Sequence, residues 1–177
     1  MSLKENIVDN IEDSGIKAQE HSKKGYLIIR KLKNKDNDHK YSAVESLELI
    51  RQDHDNENLR SLEEHLKNEL DEAQQVLGRI LRILNKLKQD DKTFNEQDIF
   101  TLRDMVEEEE ALEDMAERIS YEASEEEKNN LNRYNSKDEH EVLKFINSNI
   151  TKIEHSLDGS KRHIEDMIES YQRLNNL

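Results

Sequence analysis

The side chains best equipped for chemistry in this sequence are seven histidines and forty-one acids. Helical bundles that hold two iron atoms carry a Glu-x-x-His pair on each of two helices, because a three-residue step puts both groups on one helix face. Only His39 has an acid three positions before it, Asp36, and that pair lies in a polar stretch that reads as a turn. The His-Glu-x-x-His arrangement of zinc hydrolases is absent. The best-clustered carboxylates at helical spacing are Glu110, Asp114 and Glu117. They form the candidate divalent-metal site, since hard cations take oxygen ligands. The competing reading is a solvated helix face.

Other chemistries have less to stand on. The chain has no cysteine, which excludes disulfides and thiolate metal sites. It has neither a Gly-x-Ser-x-Gly elbow nor a glycine-rich phosphate loop. The expectation is therefore a non-enzymatic protein with no cofactor. The missing cysteines, and an N-terminus (Met1 to Glu5) without an apolar run, fit a cytoplasmic protein. The longest aliphatic or aromatic run is Tyr26 to Ile29, whereas a membrane span needs about 20 apolar residues.

Charge is the next signal. The formal net charge is −14, which disfavours nucleic acid as a partner. It is unevenly spread: residues 90–141 carry a net −13 and residues 23–40 a net +5. In the basic segment 23–35, Lys23, Lys24, Arg30, Lys31, Lys33 and Lys35 enclose the apolar run. Such a stretch suits an anionic membrane surface or another polyanion. The plainer expectation is that it packs within the chain, its cations meeting the acidic 107–127 tract. That tract, with Glu107, Glu108, Glu109 and Glu110 in succession, is in turn a candidate surface for a basic partner.

The elements that must position these groups read as helices. There is no proline, and only four glycines occur. Ser42 to Glu45, Thr93 to Glu96, Ser136 to Glu139 and Ser124 to Glu127 fit the capping box, in which a hydroxyl and an acid three residues later satisfy the first free amides of a helix. Polar stretches at 34–39, 52–56, 89–92 and 129–135 read as connections. Between them, Leu143, Ile146, Ile150, Ile153, Leu157, Ile164, Met167, Tyr171 and Leu174 make a 3-4 stripe interrupted at Ser160. Gly159, within it, reads as a kink. A second stripe runs from Leu59 through Leu62, Leu66, Leu70, Ala73, Leu77, Ile80 and Leu84 to Leu87.

These patterns predict an all-α fold: one domain over 1–177, an elongated antiparallel bundle of three to four long amphipathic helices plus one short helix, with coiled-coil-like seams. The elements are an N-terminal helix over 1–34, or two helices broken near Ser14-Gly15, a short helix over 42–52, and long helices over 57–89, 95–123 and 137–175. The favoured function is an interaction or scaffold protein that binds a protein partner or self-associates through the 143–174 seam. A peripheral membrane or polyanion binder acting through 23–35 is the alternative. A carboxylate-rich metal-binding bundle is the third reading.

Overall fold

The computed structural model describes residues 2–89, 95–133 and 137–177. All of its regular structure is helical: α1 (Leu3–Lys33), α2 (Ala43–Asp53), α3 (Glu57–Gln89), α4 (Glu96–Arg133) and α5 (Lys137–Asn175).

Local chemistry sets several ends. The hydroxyls of Ser2 and Ser42 accept from the amides of Glu5 and Glu45, so α1 and α2 begin on true serine caps. Asn56 Oδ1 accepts from the amide of Leu59 and does the same for α3. The caps expected at Thr93 and Ser136 lie outside the described residues. The one expected at Ser124 is not a cap: α4 runs through it to Arg133, ten residues past the expected end. Nothing between 124 and 128 stops a helix, glutamate propagates it well, and Ala123 and Glu126 continue its buried row. The polar stretch from 129 is therefore helical as far as 133. α1 is likewise one helix through Ser14-Gly15.

Four long helices form a ring in the order α1, α3, α4, α5, and α5 closes back on α1. Neighbours run antiparallel, as short connections favour. Among the described residues the backbones of α1 and α4 do not come close, nor do those of α3 and α5; these are the diagonals. α2 packs across α3, α5 and α1, buries Leu47 and Ile50, and pairs Arg51 with Glu63 of α3.

The core is one continuous cluster. From Leu143 to Tyr171 the nine-residue stripe of α5 is at most 6% exposed, and Leu174 packs on the same cluster. A fully buried leucine or isoleucine contributes about 1.5–3 kcal/mol, so this stripe dominates the energetics of α5. It is satisfied by α1 and α4 of the same chain. The expected self-association seam is thus an internal seam, because a ring of four helices leaves it no free edge.

Gly159 lies within an unbroken α5. A Cβ there would stand 2.6 Å from Nδ1 of His21, so glycine makes room for the His21 ring where α1 crosses α5. At Gly25 a Cβ would meet Leu77 at 3.1 Å and Ser156 at 3.4 Å. Small residues let α1 approach α5 and α3 closely at these two levels.

Candidate functional site

Four consecutive glutamates show how a helix divides a charge run. Each residue turns about 100°, so Glu107 to Glu110 point in four directions. Glu107 is exposed beside Arg103, Glu165 and Glu169. Glu108 turns toward α3 and pairs with Arg79. Glu109 points into the core and is fully buried. Glu110 is exposed on the α5 side, 4.0 Å from Lys161. The expected acidic partner surface therefore excludes Glu109, and Glu108 has an internal cation.

Glu109 belongs to a polar contact that spans the bundle. The Ser160 hydroxyl donates to Glu109 Oε1 at 3.0 Å, and Ser22 Oγ lies 2.8 Å from Ser160 Oγ. Both serines are fully buried. α1 and α4, which are not neighbours in the ring, are thus linked through α5. The polar interruption at Ser160 is the middle of this link. Glu109 Oε2 has no hydrogen-bond partner among the described residues. Burial pushes the Glu109 carboxyl up to about 8, and Glu113 adds to this against the pull of Ser160 and Lys161. The acid is therefore mostly protonated at neutral pH. Glu69 of α3, also buried, is raised to about 8 by burial and by Glu72, against Arg118.

The metal candidates Glu110, Asp114 and Glu117 do share one groove, with a volume of about 270 Å³, together with Glu113, Glu154 and Lys161. The Lys161 ammonium stands 3.0 Å from Glu113 and 3.8 Å from Asp158, where it supplies the local positive charge. Burial raises the Glu113 and Glu154 carboxyls above the usual range, and neighbouring acids add to this. Among the described residues no three His, Asp or Glu side chains converge as metal ligands do.

The basic segment faces elsewhere than expected. α1 and α4 are diagonal, and among the described residues no cation of the segment pairs with an acid of the 107–127 tract. Lys33 reaches α3 instead, 2.7 Å from both Asp71 and Gln74. Lys31 lies over the Phe145 ring at 5.2 Å. Lys35 lines a groove with Lys33, Lys40 and Glu45. Lys23, Lys24 and Arg30 are exposed and have no ion-pair partner among the described residues; beside them Leu27 is 51% exposed. On the opposite corner Glu107, Asp114 and Glu117 are also exposed and form no ion pair among the described residues, and Tyr121 extends their face at 68% exposure.

Comparison with known families, curated proteins and solved structures gives no match to this chain.

Sequence spacing missed the interhelical pairs. His54 meets Glu139 at 3.1 Å, His65 meets Glu122 at 3.0 Å and His140 meets Glu127 at 3.6 Å. They join α2 to α5, α3 to α4 and α4 to α5 near the end of the bundle that α2 covers. His21 and His163 stack at 5.4 Å across α1 and α5. Each of these pairs joins residues on different helices, so spacing along one helix does not show it.

Proposed function

We propose that this protein is a non-enzymatic interaction module, a rigid bundle that presents two binding faces of opposite charge. One is the basic corner of α1: Lys23, Lys24, Arg30 and Lys31 around Leu27. The other is the acidic corner of α4: Glu107, Glu110, Asp114 and Glu117, with Tyr121. The observation that carries this reading is their separation. The order of helices in the ring puts the two charged corners on a diagonal, so neither quenches the other. Charges kept apart in this way remain open to outside partners and steer their approach.

Neutralising each corner tests the reading. The probes are an immobilised lysine-rich peptide for the acidic corner and vesicles containing phosphatidylserine for the basic corner, both at about 50 mM salt, where the Debye length exceeds 10 Å. Replacing Glu107, Glu110 and Glu117 with Gln and Asp114 with Asn abolishes peptide retention. Replacing Lys23, Lys24, Arg30 and Lys31 with Gln abolishes vesicle binding. Retention of neither probe by the unmodified protein, or equal retention by the neutralised variants, ends the proposal. The vesicle arm also addresses the membrane reading, which Leu27 favours because an exposed leucine among cations suits a lipid headgroup layer.

A further inference from the structure

We infer that the two corners serve each other between molecules: the α1 stripe of one copy seats on the α4 face of the next copy of the same chain. This rests on the reading above that the charged corners are binding surfaces, and it names their occupant.

The two faces match in kind, and the longer acidic face has room for the whole basic one. Lys23, Lys24, Leu27, Arg30 and Lys31 follow one another along about 12 Å of helix at 1.5 Å per residue. Glu107, Glu110, Asp114, Glu117 and Tyr121 cover about 21 Å of α4. Four cations with an exposed leucine thus face four carboxylates with an exposed tyrosine. The ionic groups give register, and Leu27 and Tyr121 add apolar area that an ionic contact alone lacks. Within one molecule these groups have little to occupy them. Among the described residues Arg103 lies beside Glu107, and Lys161 stands near Glu110 but is tied mainly to Glu113.

Diagonal placement decides the symmetry. The two corners look outward in opposite directions, so a copy bound at one corner leaves the other corner free. The contact is heterologous, and repeating it gives an open row rather than a closed pair. A two-fold dimer would instead set like charge against like charge.

The net charge of −14 gives the assembly an unusual salt response. Whole copies repel over long range, while the patches attract at contact. At about 0.01 M salt the Debye length is about 30 Å and the net repulsion is felt; at about 0.15 M it is about 8 Å and mainly the contact charges remain. At about 1 M the contact is screened as well. Association is therefore strongest near physiological ionic strength and weaker on both sides.

The test is sedimentation velocity with light scattering on the full chain across that salt range. Two variants accompany it, one with Lys23→Glu, Lys24→Glu, Arg30→Glu and Lys31→Glu, the other with Glu107→Lys, Glu110→Lys, Asp114→Lys and Glu117→Lys. All eight positions are exposed, and circular dichroism of each variant is the check that it keeps its helices. The unmodified chain gives concentration-dependent species larger than a dimer, with the salt maximum. Each variant alone associates at least tenfold more weakly. An equimolar mixture of the two recovers assembly, because each supplies the charge the other now lacks. A monomer at every salt concentration, with no gain in the mixture, overturns the inference. If that monomer still binds the lysine-rich peptide or the vesicles, the corners remain binding surfaces and only their occupant changes. Variants that assemble as well as the unmodified chain place the contact elsewhere and also overturn it.

Discussion

α3 and α4 are neighbours in the ring and both cross the whole core, yet their buried rows are built differently. α3 buries Leu59, Leu62, Leu66, Leu70, Ala73, Leu77, Ile80 and Leu84, and its buried acids Glu63 and Glu69 lie beside this row. α4 buries Ile99, Leu102, Met105, Leu112, Ala116, Ile119 and Ala123, and Glu109 and Glu126 stand within the row itself. A leucine row holds its helix by apolar burial, which is indifferent to pH. A row that contains an acid holds its helix only as well as that acid tolerates the core. Glu109 thus makes the docking of α4 answer to protons from within its row, whereas in α3 Glu69 does so from beside the row.

Three substitutions test this contrast. The largest effect belongs to α3. Leu66→Ala removes a fully buried side chain and costs about 2–5 kcal/mol, measured by urea unfolding. The loss is the same at pH 5 and pH 8; a marked pH dependence breaks the contrast. Next is Glu109→Gln, which stabilises the fold by about 1–3 kcal/mol at pH 7.5, since a neutral amide avoids the need to protonate a buried acid. The sign follows from the carboxyl being raised from 4.5 to about 8 by folding. Between those values the folded state binds the extra proton, so stability falls as pH rises from about 4.5 to about 8, then levels off. Glu109→Gln removes that component of the slope and leaves the one due to Glu69. An unaltered slope places the proton elsewhere. The smallest effect belongs to Glu108→Gln, which breaks the half-exposed pair with Arg79 and shifts stability by at most about 1 kcal/mol, less in high salt.

The same contrast explains what could be read from the residues. The α3 and α5 stripes were legible because apolar spacing reports which side of a helix is buried. The Ser42 cap was legible because it is local. Ser124 matched the same motif without being a cap, since a motif shows that a helix can start and not that the previous one has ended. Glu109 was hidden in a run of four identical letters; only the row through Met105, Leu112 and Ala116 shows that it is the inward member. The site suffered most where partners come from different helices. Opposite charge suggested that 23–35 meets 107–127, but surface ion pairs contribute about 1 kcal/mol or less, and apolar seams decide neighbours. Gly159, read as a kink, has its reason in His21, 138 residues earlier in the chain.

The antiparallel order of the ring has one more consequence. Each helix carries a dipole along its axis, and in an alternating ring these largely cancel. The α1 and α4 corners, by contrast, add a moment across the bundle, from one charged corner to the other. In the field of a charged body the molecule turns about its long axis before contact, so orientation precedes touch and a productive encounter needs fewer collisions.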